Sequence, residues 1–151
     1  MALDGRHGDV GLMEICEVQT ELVPKVWSAL APQIDKALST GQGDECTPES
    51  ICAGIGSGLS QMWAIHDGDK LKGCVVVAVE QSAAARKVWV DLMAGEDVHA
   101  WEDKLEEVLD GFCRAVGATC VETSARPGLA KLLRNRGWKQ KAVIMEYRVN
   151  E

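Results

Sequence analysis

Residues 118–139 read ATCVETSARPGLAKLLRNRGWK, and this stretch decides the fold. Thr119–Thr123 (TCVET) reads as a short strand. Pro127 then opens a helix, because its fixed φ suits the first helical position and its missing amide costs nothing there. Leu129, Leu132 and Leu133 supply the apolar side of that helix, and Gly137 ends it, followed at once by Trp138.

Upstream, Val98, Trp101, Leu105, Val108, Leu109, Phe112 and Val116 recur at helical spacing up to Gly117. This is the clearest amphipathic helix of the chain. Three consecutive strands precede it: Met62–His66 (MWAIH), Gly73–Glu80 (GCVVVAVE) and Val88–Met93 (VWVDLM). Asp67-Gly68-Asp69 between the first two is a hairpin signal. Thr47-Pro48-Glu49 starts an earlier helix with a capping hydroxyl, and Ile51, Ile55 and Leu59 give it a narrow apolar stripe. Gly54, Gly56 and Gly58 weaken it by about 1 kcal/mol each relative to Ala. They follow a helix start rather than a strand, so they fit no phosphate-loop motif. Met13–Gln19 (MEICEVQ) reads as the first strand, and Thr20 can cap the helix that carries Val23, Val26, Trp27, Leu30, Ile34 and Leu38. Pro32 should kink or split that helix. Residues 1–10 read as a loose end, 41–45 as a loop, and Ala142–Val149 (AVIMEYRV) as a closing strand. No repeat or linker divides residues 11–151, which form one domain.

The 151 residues are 46% apolar and 26% charged, the composition of one globular domain. No apolar run approaches the about eighteen residues of a membrane span, and the first seven residues lack a secretory apolar core. None of the six cysteines makes a C-x-x-C pair, and the three histidines are scattered. The reading is a reduced, cytoplasmic protein without a metal site. A net charge of −7 argues against general binding to nucleic-acid phosphates. The charge is unevenly placed: Glu96–Asp110 holds seven carboxylates and one lysine, Arg126–Lys141 six cations and no acid. The bland reading pairs the two segments as neighbouring helices. The functional reading is a basic patch, Arg134 within it, able to meet the phosphates of a ligand or an acidic partner.

The order of elements, β, α, α, three strands, then α, β, α, β, resembles the GCN5-related N-acetyltransferase (GNAT) fold over nearly the whole chain. Within residues 118–139 the resemblance lies in a strand, a loop and the family's fourth helix, ending in Gly137-Trp138. The chain is also similar to compact phage-encoded proteins of this fold, some without demonstrated chemistry. The resemblance implies an α/β domain with a mixed, mainly antiparallel sheet flanked by helices. It also implies an acetyl-CoA or other acyl-CoA cleft where the fourth strand parts from the fifth. There the backbone of Leu92, Met93, Ala94 and Gly95 would hold the acyl carbonyl and pantetheine arm.

Two departures stand out. The family's phosphate loop runs Arg or Gln, two residues, Gly, one residue, Gly or Ala. Here Ala94-Gly95-Glu96-Asp97-Val98-His99-Ala100-Trp101 has one glycine and two carboxylates. Like charges at 4 Å repel by roughly 1 kcal/mol in water and about four times that near a protein surface. The structural reading makes Glu96 and Asp97 the N-cap and first turn of the helix that follows. The second departure is Leu133, at the place of the family's thiolate-protonating Tyr; the only tyrosine is Tyr147, in the closing strand.

A base for an amine would come from a cleft-lining strand. Asp91 shares its parity with Trp89 and Met93, opposite Val88, Val90 and Leu92, and an acid among apolar residues can have a raised pKa. Glu122 is the second candidate, and Glu80 shares the ambiguity. Trp27, Trp63 and Trp101 fall on core patterns. The Trp89 face must be covered by helices or exposed, and an exposed face would support a homodimer through the sheet. Two functions follow: an acyl-CoA-dependent transferase acting on an unidentified amine, or an inactive GNAT-like module with a protein-interaction or assembly role.

Overall fold

The computed structural model describes residues 13–40 and 46–149; the expected loose end and the 41–45 loop lie outside them. Strand β1 (Met13–Glu17) leads through a 3-10 turn (Thr20–Leu22) into α1 (Val23–Ala29) and α2 (Ala31–Thr40). Pro32 splits the helix as expected. Leu30 leaves helical geometry with φ −112° and ψ 14°, and Pro32 becomes the second residue of the next helix. Helix α3 (Pro48–Gly56) starts on a capping box: Ser50 N–H donates to Thr47 Oγ1 at 3.0 Å, and Thr47 N–H to Ser50 Oγ at 3.0 Å. Ile51 and Ile55 are buried, but Leu59 lies past the helix end and is exposed, so the apolar stripe is one residue shorter than its spacing predicts.

Strands β2 (Ser60–Asp67), β3 (Lys70–Gln81) and β4 (Arg86–Gly95) follow as an antiparallel meander, then α4 (Val98–Val116), β5 (Cys120–Thr123) and α5 (Pro127–Asn135). The five strands lie in sequence order, and only the β4–β5 pair is parallel. Helices cover both faces. One core packs Ile34, Ile51 and Ile55 against Met62, Cys74 and Val76. The other packs Trp101, Leu105 and Leu109 of α4 against Ile65, Val75 and Val77. Trp63 meets Phe112 edge-on, ring centroids 5.2 Å apart, tying α4 to the sheet. Trp63 and Trp101 are core as expected, whereas Trp27 is half-buried at the margin of the first cluster. Trp89 is also half-buried.

Two further sequence expectations fail in the sheet. Ala142–Val149 joins no strand, and Val143, Ile144, Met145, Tyr147 and Val149 stand in solvent. The alternating pattern is there, but no edge in the same chain has received it. The other concerns parity in β4. Leu92 and Ala94 belong to the first core, while Val88 and Val90 belong to the second. Alternation therefore breaks between Val90 and Leu92.

Candidate active site

The break is a β-bulge. Val77 pairs with Val90 and Val76 with Leu92, so Asp91 is an extra residue with no partner on β3. Inserting one residue swaps the face of everything beyond it, which turns Leu92 and Ala94 toward the α2 side. It also bends β4 where β5 leaves it. The parallel ladder runs from Lys87↔Cys120 to Val90↔Thr123 and stops there, where Thr123 Oγ1 donates to the Val90 carbonyl at 2.9 Å. β5 then turns away through Ser124 and Ala125 toward Arg126, the N-cap of α5. β4 continues to Gly95 on β3 alone. Alternate backbone N–H and C=O groups along Asp91–Gly95 thus face a fork without a strand partner, an edge suited to an extended ligand.

The fork opens into a cleft walled by Leu38 of α2, Asp91, Leu92 and Met93 of β4, and Ser124 and Arg126 of the turn into α5. Burial pushes the Asp91 carboxyl above the ordinary carboxylate range, and nearby Glu80 pushes it further; a hydrogen bond from the Trp89 indole opposes both. A carboxylate held this way is a better proton acceptor than a solvated one.

At the cleft's end, Gly95 and Gly73 face each other across β3 and β4. A Cβ on Gly95 would sit 2.5 Å from the Lys72 carbonyl, and one on Gly73 2.6 Å from the Ala94 carbonyl. Strand packing, and not a phosphate cradle, is what requires these glycines. Lys72 is itself a bulge residue, skipped between the pairs Ile65↔Gly73 and His66↔Leu71. Its ammonium reaches Asp97 at 3.3 Å, and that hydrogen bond holds the Lys72 pKa up. Asp97 occupies the N-cap position of α4 but has left-handed backbone, φ 52°, and makes no side-chain cap. Glu96 takes a hydrogen bond from Gln33 Nε2 at 3.5 Å. The two acids therefore do not cap the helix, as the spacing suggests; they are drawn to Lys72 and Gln33. Trp101 Nε1 pins the loop by donating to the Glu96 carbonyl at 2.9 Å.

The residues fit an acyl-CoA at one end. The bare β4 edge and its apolar walls suit an acylated pantetheine arm. A phosphate end lying beyond Gly95 would meet Glu96 and Asp97, with Lys72 balancing one of them.

Of the sequence candidates, Asp91, Leu92 and Met93 meet in the cleft, and Ala94 and Gly95 extend the same strand. Glu122 is elsewhere. Lys141 and Lys87, the latter at 3.4 Å, hold its carboxyl below the usual range, the Lys141 hydrogen bond contributing most. Arg134 sits exposed in the last turn of α5, outside the cleft lining. Arg126 was hidden as one of six cations in its segment; its place just before Pro127 was the available signal. The acidic and basic segments do pair, through Arg136. Its guanidinium reaches Glu102 at 3.2 Å, Glu106 at 2.8 Å and Asp103, and Trp138 Nε1 donates to Glu106 at 3.1 Å. Leu133 is buried, so the place of the missing Tyr is closed to solvent.

Among solved structures, the fold recurs over nearly the whole chain. An aminoglycoside acetyltransferase from an uncultured soil metagenomic sample, bound to sisomicin, aligns with 93% of this chain and 98% of its own at TM-score 0.67 and 12% identity. The fold is that of the GCN5-related N-acetyltransferases. A predicted acetyltransferase from Clostridium acetobutylicum with acetyl-CoA aligns over 90% of this chain and 96% of its own at TM-score 0.65 and 10% identity. Glucosamine-6-phosphate N-acetyltransferase from Arabidopsis thaliana aligns over 91% and 99% at TM-score 0.61 and 14% identity. No family model and no curated protein matches the sequence. Among the described residues, no helix of this GNAT-fold chain is long and apolar enough to cross a membrane, and no cluster of side chains could hold a metal.

Proposed function

We propose that this GNAT-fold chain is an acyl-CoA-dependent N-acyltransferase for a small cationic amine. The observation that carries the reading is the Asp91 bulge at the β4–β5 fork. It bares the β4 backbone to one ligand and puts a carboxylate beside it for another. Acyl-CoA would supply the activated acyl thioester. The N–H groups of the β4 edge bind and orient the acyl arm, and Leu38, Leu92 and Met93 keep water from it. Asp91, with Glu80 behind it, attracts an ammonium, and Asp91 takes the proton that must leave before nitrogen can attack. Glu122 has no part in this reading, being committed to Lys87 and Lys141.

The acidic loop and the buried Leu133 favour the second reading, an inactive module of the same fold. Titrating acetyl-CoA calorimetrically into the purified chain, then assaying CoA release with a panel of diamines and amino sugars, separates the two. Binding followed by amine-dependent release supports the transferase. Absence of binding by the native chain and by Asp97→Gly alike ends that reading.

A further inference from the structure

The basic segment carries more charge than its acidic neighbour can neutralise, because the acids of 96–110 are already taken. Glu96 and Asp97 are drawn to Gln33 and Lys72, Arg136 takes three acids of α4, Lys104 takes Glu107 and Arg114 takes Asp110. Of the six cations from Arg126 to Lys141, Arg136 thus pairs with α4 and Lys141 with Glu122. Among the described residues, Arg126, Lys131, Arg134 and Lys139 pair with no carboxylate, and all four are exposed. Helix polarity accounts for one of them at most. Arg134 lies in the last turn of α5, where a cation is favoured, but Lys131 lies mid-helix and Arg126 at the N-terminal end, where a cation is disfavoured. The geometry of α5 gathers the charge. Leu129, Leu132 and Leu133 line one small cavity with Leu105 and Glu106 of α4, so helical periodicity puts Lys131 and Arg134 on the opposite, outward side. Arg126 lines the cleft together with Val98, the residue after Asp97. The cationic face therefore begins in the wall of a cleft that also reaches the acidic loop.

Loop and helix ask for the same kind of ligand. Glu96 and Asp97 oppose a pantetheine arm that ends in several phosphate charges, as that of CoA does. They oppose far less the single charge of an arm held on a protein by a phosphodiester. The unpaired cations suit a protein that is itself acidic. We propose that the cleft takes its acyl-pantetheine arm from an acidic carrier protein docked on the outer face of α5, in preference to free acyl-CoA. This rests on the transferase reading and changes only what holds the arm. Lys131 and Arg134 meet the carrier's carboxylates, and the arm enters past Arg126 to the bare β4 edge. The net charge of −7 repels an acidic protein elsewhere, so the same face fixes where it docks. The transfer itself balances as before. The acyl carbon exchanges its C–S bond for a C–N bond, and the arm leaves as a thiol with one proton of the ammonium. The second proton passes through Asp91 to water.

The test titrates the full chain calorimetrically, at low and at physiological salt. The titrants are acetyl-CoA, acetyl-pantetheine, an acetylated acyl carrier protein and the same carrier without its arm. At low salt the acetylated carrier should bind about tenfold more tightly than acetyl-CoA, and better than the armless carrier, and lose part of that lead as salt rises. Lys131→Glu combined with Arg134→Glu should weaken carrier binding about tenfold and leave acetyl-pantetheine binding as it is. Lys131→Arg combined with Arg134→Lys, which keeps both charges, should bind the carrier as the native chain does. All four changes fall on exposed positions outside the core clusters, so the thermal transition should persist. Three results overturn this inference and leave the transferase reading standing: acetyl-CoA binding as tightly as the acetylated carrier, the charge-reversed variant binding the carrier undiminished, or the armless carrier binding as well as the acetylated one. Absence of binding by every thioester overturns both.

Discussion

Replacing Asp97 by Gly should tighten acetyl-CoA binding, and the gain can be worked from the loop. Glu96, Asp97 and Lys72 leave one net negative charge beside the place a diphosphate would occupy. At about 7 Å, two phosphate charges and one carboxylate repel by about 1 kcal/mol in water, and physiological salt roughly halves this. Affinity should therefore rise about two- to threefold at physiological ionic strength and about fivefold at low salt. A dielectric below that of water enlarges both figures, and Lys72 is released to face the phosphates. The backbone favours the change: Asp97 has φ 52°, a conformation that costs a non-glycine residue about 1 kcal/mol. That relief offsets the lost ion pair, so the variant should melt within a few degrees of the native protein. The assay is calorimetric titration with acetyl-CoA and with acetyl-pantetheine, which lacks the phosphates. An equal gain for both ligands, or no gain at either salt, would refute the electrostatic reasoning.

Asp91→Asn should lower turnover by about 10²- to 10⁴-fold, the usual loss of a general base, and leave the acetyl-CoA dissociation constant unchanged in calorimetry. Because the folded Asp91 has a raised pKa, the native protein loses stability as pH rises through the window from the ordinary 3.8 to that raised value. Denaturant titrations should find Asp91→Asn more stable than the native protein above that window and equal to it below. Gly73→Ala places a Cβ 2.6 Å from the Ala94 carbonyl and 3.2 Å from Trp101, neither free to retreat. It should cost about 1–3 kcal/mol, each kcal/mol lowering Tm by about 2–4 °C in a scanning melt. Cys16, Cys52 and Cys120 are exposed, whereas burial pushes the Cys74 thiol up to about 12. Mass spectrometry after thiol labelling should find Cys74 modified only once denaturant unfolds the chain.

The elements legible from the residues alone are those whose signals are local. Pro32 splits a helix because a missing amide and a ring clash act within one turn. Thr47-Pro48 starts one by the same short reach, and the Asp67-Gly68-Asp69 turn joins β2 to β3 because Gly68 can take φ 61°. Periodicity placed α4, and the order of elements carried the fold. The site needed more. Asp91 was recognisable as an acid among apolar residues, but its bulge was not, since a bulge is a mismatch between two strands and each strand alone looks regular. Leu92 therefore changed face with no sign in its own neighbourhood. Asp97 has the chemistry of an N-cap, yet Lys72, twenty-five residues away and aimed by its own bulge, takes its carboxylate. Ala142–Val149 has the alternation of a strand, but a strand exists only where an edge receives it, and register and partner are settled by the energy of the whole sheet.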